Sequence, residues 1–490
     1  MLKYISTRNN QEIVSSSKAI LNGLAPDGGL YVPNSLEEVK LDYHTVINQD
    51  YKGMAKIVFG KFFPDFDKDD ISRIVEKSYN NKFDTEKITP VVKVADRYIL
   101  ELFYGPTCAF KDVALSALPN LMTEAAKMNA FSDEILILTA TSGDTGSAAL
   151  HGFSDVPGTR IIVFYPAEGV SETQRLQMVT QNGKNTCAVG IHGNFDDAQT
   201  GVKKIFREIP KPCDGISLSS ANSINIGRLV PQIVYYFVAY KALLEKGDIQ
   251  DGDRIDFTVP TGNFGDIMAG YFAKTMGLPI GKLFCASNKN DVLTEFFETG
   301  HYDRRREFYK TTSPSMDILV SSNLERLLYF ICGAEKTKTY MKELSINGEY
   351  TISKEELERI REDFAGASCD DSEGSCAIHD LYQKEKYVMD THTAIAWAAA
   401  DKLKSKHPNV VLSTASPYKF TRAVLSALGE EPEQEDKKNI LHLKNFTGVE
   451  MPSPIRELFQ KDVHHKDIIE VKEMKDYVLK KAAKKIPERK

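Results

Sequence analysis

Lys111 lies in the run Phe103-Tyr-Gly-Pro-Thr-Cys-Ala-Phe-Lys-Asp112, just past a Gly-Pro turn, behind an apolar residue and ahead of an acid. A lysine whose amine is partly desolvated has a lowered pKa and attacks carbonyls to form a Schiff base. A lysine beside an aspartate also describes an ordinary exposed charge pair. Ten residues do not separate the two readings, and three loops farther along bear on the choice.

The first loop, Thr141-Ser-Gly-Asp-Thr-Gly146, follows an apolar run and opens a helical pattern. Free backbone N–H groups and the positive helix end at such a junction suit an anion. Ser142, Asp144 and Thr145 add polar side chains, and Gly143 and Gly146 let a ligand approach the backbone. A plain capped turn uses the same residue types. The second loop, Thr261-Gly-Asn-Phe-Gly-Asp266, is again strand to helix. Gly262, Asn263, Phe264 and Gly265 can form a backbone cradle for a phosphate. No lysine follows it, and its spacing misses Gly-x-Gly-x-x-Gly, which argues against a P-loop and a dinucleotide site. The third, Leu412-Ser-Thr-Ala-Ser-Pro417, puts the Thr414 hydroxyl at the carboxyl edge of a sheet, where ligands of open α/β sheets bind. Threonines at strand ends also serve purely structural ends. Taken together, an imine-forming lysine, a phosphate cradle with few cations and a hydroxyl for a ring nitrogen describe one ligand, pyridoxal phosphate.

Buried strands alternating with helices must position these loops. Val91–Val94 and Tyr98–Phe103 read as short strands, and apolar runs at 134–140, 160–166 and 185–190 each precede a helical segment. A second series starts near residue 217, with a long helix over 226–245, strands at 254–259, 283–287 and 409–415, and helices between them. The pattern is that of βαβ units on parallel sheets. The expected architecture is α/β: two doubly wound sheet domains with the cofactor between them, a small leading domain and a mostly helical insertion. The boundaries expected are 1–90 for the leading domain, 91–220 for a small α/β domain carrying Lys111, 221–430 for a large one carrying the phosphate loop and an insertion at about 301–380, and 431–490 for an extension. Residues 364–374 read as a loop, and 471–490 as a basic amphipathic surface helix.

The chain of 490 residues is 42% hydrophobic and 27% charged, ordinary for a globular protein of two or three domains. A net charge of −6 gives no basic field for nucleic acid. No apolar run is long enough to span a membrane, and the first residues lack a signal-peptide core. Seven scattered cysteines with no Cys-x-x-Cys fit free thiols in a reducing cytoplasm. Cys369 and Cys376 lack a matching His or Cys pair nearby, so no metal is expected.

Several stretches resemble the threonine synthase family, within the tryptophan-synthase-β-like group of pyridoxal-phosphate enzymes. They are Gly23–Pro33, Pro106–Asp112, Thr141–Ser147, Ser220–Arg228, Thr261–Asp266, Asp390-Thr-His-Thr-Ala394 and Ser413–Pro417. Asp144, where the wider group commonly has asparagine, and the leading domain are similar to threonine synthases in particular, and the length resembles their fungal and bacterial branch. The resemblance implies conversion of O-phospho-L-homoserine and water to L-threonine and phosphate. It further implies that Lys111 holds the cofactor as a Schiff base, that Gly262, Asn263, Phe264, Gly265 and Asp266 line its phosphate site, and that Thr414 faces the ring nitrogen. Ser142, Gly143, Asp144 and Thr145 would hold the substrate end, with Asn225 and Arg228 as candidates for its phosphate. A monomer or homodimer is expected. The alternatives are a phospholyase or a serine/threonine dehydratase, and a cofactor-binding relative without turnover.

Overall fold

The computed structural model describes residues 2–484. Two mainly parallel sheets carry the architecture. The larger runs Phe364–Ser368, Ile280–Ser287, Ile255–Pro260, Asn409–Ser413, Arg97–Glu101, Val91–Val94. Only its last pair is antiparallel. The smaller runs Ile468–Glu470, Thr186–His192, Thr159–Pro166, Glu134–Ala140, Ile216–Ser219, parallel throughout. Ile255–Pro260 and Asn409–Ser413 are buried at every residue, which is how strands covered by helices on both faces read in sequence.

The α/β class and the two sheets are as expected, but the chain divides between them differently. Val91–Val94 and Arg97–Glu101 join the larger sheet, not the smaller domain expected from residue 91. Arg97–Glu101 pairs with Asn409–Ser413, its Leu100 opposite Leu412. Ile468–Glu470, expected in a separate extension, forms an edge of the smaller sheet. The segment expected as a loop at 364–374 contains the edge strand Phe364–Ser368 and starts the helix Asp371–Glu385. The insertion expected at about 301–380 therefore returns to the sheet at residue 364. The helix expected over 226–245 is divided into Ile226–Leu229, a tight 3-10 turn at Val230–Ile233 carrying Pro231, and Val234–Glu245. The amphipathic helix expected at 471–490 is present as Met474–Ala482, with Met474, Val478 and Ala482 buried against the smaller sheet. Residues 485–490 of that expectation lie outside the described residues. Among the described residues no helix is long and apolar enough to cross a membrane. All seven cysteines are free.

The leading segment forms a three-stranded sheet and helices packed into the same apolar core as the larger sheet. Arg326, fully buried, ties it to the interior. Its Nε donates to the Tyr31 carbonyl at 3.0 Å and its guanidinium to the Ile224 carbonyl at 2.6 Å and to Asn323 Oδ1. Burial pushes the guanidinium down to about 10. Each of these acceptors is left without its donor in Arg326→Met, and a buried unpaired acceptor costs about 1–3 kcal/mol. That variant is expected to unfold several degrees lower by thermal scan, with fluorescence and circular dichroism moving together.

Candidate active site

Lys111 opens the helix Lys111–Leu115 and is buried, with 9% of its surface exposed. It is no exposed charge pair with its neighbour. The Asp112 carboxylate is itself buried and accepts from the Thr107 amide at 2.8 Å and the Thr107 hydroxyl at 2.7 Å. Burial pulls the Lys111 amine down to about 8; Asp144 opposes this, and Arg228 and Lys419 add to it. Its Nζ donates to Ser315 Oγ at 3.2 Å.

The segment before Lys111 is stitched to the third loop. Leu102 N donates to the Ser413 carbonyl at 2.9 Å, Phe110 N to the Thr414 carbonyl at 2.8 Å, and Ser416 N to the Cys108 carbonyl at 3.0 Å, around a bridge between Ala109 and Ala415. The lysine of the early chain and the threonine of the late chain are thus neighbours by backbone pairing. Thr414 is buried.

The glycine loop at 261–266 has its carbonyls tied back. Ser321 Oγ donates to the Gly262 carbonyl at 2.7 Å, and Asn323 donates to the Asn263 carbonyl from its amide at 3.0 Å and its side chain at 2.8 Å. Phe264 takes the left-handed conformation at φ 62°, a strained state for a phenylalanine, and its ring is anchored beside Phe297 and Phe364. The amides of Gly262, Asn263 and Phe264 find no protein acceptor among the described residues. Asp266, at the start of the helix Gly265–Met276, is buried; burial pushes its carboxyl up to about 6 against the Ile267 amide, Lys111 and Arg228. Arg228 is buried too, donates to the Ala221 carbonyl at 2.8 Å and leaves its Nε without a partner. Burial lowers it to about 10, opposed by Asp266.

In the first loop the Thr141 hydroxyl accepts from the Gly143 and Gly146 amides, each at 2.9 Å, folding the loop onto the helix Asp144–Phe153. Gly143 has φ 141°, and a Cβ there would overlap the Gln174 side chain. Ser142 and Thr145 are half-buried. Asp144 accepts from Lys419 Nζ at 2.9 Å, from Gln174 Nε2 at 3.0 Å and from Ser315 Oγ at 3.4 Å. Burial raises its carboxyl, but Lys419 and Lys111 outweigh that and hold it well below the ordinary carboxylate range.

The structure therefore brings together Lys111, the glycine loop, Thr414, Asp144 and Arg228. It does not bring Asn225. That side chain is fully buried, donates to the Ile20 carbonyl at 2.9 Å and caps the Gly227 amide at 2.9 Å. Its side chain holds the leading segment and caps the short helix that carries Arg228.

Three family models match the chain: "Threonine synthase N terminus" over residues 3–79, "Pyridoxal-phosphate dependent enzyme" over 84–414 and "Threonine synthase, C-terminal" over 393–478. The chain belongs to the threonine synthase family. Threonine synthase from Saccharomyces cerevisiae is 35% identical over 89% of this chain and 91% of its own length. Human threonine synthase-like 1 is 39% identical over 87% of this chain, which spans 60% of that relative's length. The crystal structure of pyridoxal-phosphate-bound threonine synthase from Brucella melitensis superposes with a TM-score of 0.88 at 37% identity, covering 99% of this chain and all of that one.

The residues present fit the cofactor of this family. Unpartnered loop amides match phosphate oxygens, and a desolvated amine matches an aldehyde. Sequence reasoning missed Ser315, His392, Lys419 and Gln174. Lys419 sits two residues past the third loop, where an unpaired cation after Ser-Pro was the available signal. Ser315 had none, because the polar segment containing it aligns with no motif.

Two outcomes follow from the geometry. A Cβ at Gly262 would overlap the Ser315 carbonyl, so Gly262→Ala is expected to weaken pyridoxal-phosphate binding by about tenfold or more, read by absorbance titration. The Lys111 amine loses its proton at about 8 in the folded apoprotein and at 10.5 in an ordinary lysine. Between those values the unfolded chain holds more protons, so the cost of burying the charge is full below about 8 and disappears above about 10.5. Lys111→Met should raise the apoprotein's thermal midpoint at pH 7, and the difference should shrink as pH rises through that window.

Proposed function

We propose that this chain converts O-phospho-L-homoserine and water to L-threonine and phosphate, with pyridoxal phosphate held by Lys111 between the two sheet domains. The observation that carries the reading is that Ser315 touches both the buried Lys111 amine and the loop with unpartnered amides, while backbone pairing sets Thr414 beside the segment that carries the lysine. Relatives matched over more than 90% of their length are threonine synthases.

When bound, pyridoxal phosphate supplies an electron sink for a Cα carbanion. The chain's own residues do the rest. Lys111, once free, is tethered beside the reacting carbons with an amine poised near neutrality, so one group gives and takes protons on a single face. Gly262, Asn263, Phe264, Gly265 and the backbone of Asp266 hold the cofactor phosphate. The Thr414 hydroxyl donates to an unprotonated ring nitrogen, where a carboxylate would instead stabilise the protonated ring. Ser142, Gly143 and Thr145 hold the substrate's amino-acid end at the helix start, with Asp144 organising that end through Lys419 and Ser315. Arg228, its Nε free, takes the substrate phosphate.

We also place the protein in a reducing cytoplasm, in keeping with its free cysteines. It acts as a monomer or homodimer on a small molecule, with no nucleic-acid or membrane partner, in keeping with a net charge of −6.

The purified protein with pyridoxal phosphate and O-phospho-L-homoserine should release threonine and phosphate in equal amounts. A keto acid with ammonia would replace the reading by a phospholyase or dehydratase. Lys111→Ala should lose the absorbance of lysine-linked cofactor and at least roughly a thousandfold in turnover.

A further inference from the structure

Two chains of hydrogen bonds end on Ser315, and donor–acceptor chemistry fixes the direction of each. Lys419 has only donors, and an ionised carboxylate has only acceptors. Asp144 Oδ1 accepts a hydrogen bond from Lys419 Nζ at 2.9 Å, and its Oδ2 lies 3.4 Å from Ser315 Oγ. The Ser315 hydroxyl proton must therefore point at Asp144, which leaves an oxygen lone pair for Lys111 Nζ at 3.2 Å. In the second chain Asp390 caps the helix Thr391–Leu403 and accepts from the His392 amide at 3.0 Å and from His392 Nδ1 at 2.7 Å. His392 Nδ1 carries the proton, and its bare Nε2 accepts the Ser315 amide at 3.1 Å. Asp390, His392, Asp144 and Lys419 are all buried. The Ser315 carbonyl packs against Gly262. Serine is thus locked, backbone and side chain, between the lysine, the carboxylate and the glycine loop.

The hydroxyl stands between a buried amine and a buried carboxylate that attract each other. We propose that Ser315 is a catalytic residue, the acceptor on which the free Lys111 amine docks, and that its hydroxyl keeps that amine from closing directly onto Asp144. His392 and Asp390 are positioning residues that hold Ser315 in place. The proposal rests on the reading of Lys111 as the cofactor's lysine. The charged and titratable groups facing the amine are Asp144, Arg228, Lys419 and Asp266. With the spacer removed, direct pairing with Asp144 would favour the charged amine and withdraw it from nucleophilic use.

The test is the pH midpoint for capture of pyridoxal phosphate by the apoprotein, followed by the absorbance of the lysine-linked cofactor, since only the neutral amine reacts. Ser315→Ala should move that midpoint up by about one pH unit, which is about tenfold slower capture at neutral pH. Ser315→Thr keeps the hydroxyl and should restore the wild-type midpoint. His392→Leu should shift it in the same direction as Ser315→Ala, and His392→Asn, which can both donate and accept, should shift it less. Ser315→Gly is the second variant should the alanine protein be unstable by circular dichroism. A lower plateau with an unchanged midpoint in the hydroxyl-free variant would mean a structural role only and overturn the proposal. Capture surviving in Lys111→Ala would overturn both this proposal and the functional reading, whereas its loss there with an unchanged midpoint in the serine variant would overturn this one alone.

Discussion

The buried pair of Asp144 and Lys419 is the constraint around which the site is arranged. Each charge would be costly alone in the interior, and either partner's removal leaves the other uncompensated. Asp144 stands on a loop of the smaller sheet, and Lys419 follows the end of a central strand of the larger one. Lys419 also donates to the Thr107 carbonyl at 2.7 Å, in the stretch leading to Lys111. One ammonium therefore fixes both sheets and the lysine segment relative to each other. Neighbouring Gln174 and Ser315 complete the carboxylate's shell, so its charge is satisfied before any ligand arrives.

Behind that pair lies a second layer supplied by parts of the chain outside the two sheets. Arg326 and Asn323, from the inserted segment, carry the leading strand's Tyr31, the turn at Ile224 and the glycine loop on one connected set of bonds. The strained Phe264 persists because that set holds the loop's carbonyls while two aromatic rings hold its side chain. The leading segment is therefore part of the support of the glycine loop, reached through Arg326 and Asn323.

What could be read in the sequence was what is locally encoded. A lysine after a Gly-Pro turn and two glycine-rich loops at strand-to-helix junctions depend on residues a few positions apart, and their residue types state what the backbone must do there. The alternation of apolar runs and helical patterns gave the α/β class for the same reason. Sheet membership did not follow, because parallel partners are set by crossover connections: Arg97–Glu101 looks the same whether it joins one sheet or the other until Asn409–Ser413 lies beside it. The structural role of Asn225 was not legible because its two partners, Ile20 and Gly227, lie on opposite sides of it in sequence and one is far away. Ser315 carries no local signature; its meaning comes from Lys111, Asp144 and His392, which are scattered over the chain.

The edge position of Ile468–Glu470 bears on how the molecule is made. Thr186–His192 is translated long before the strand that covers its outer side, so during synthesis it presents a row of open amides and carbonyls at an uncapped margin. The nascent smaller domain is then a template for unwanted strand addition, and chaperone protection of that margin matters most in the interval before the late strand docks.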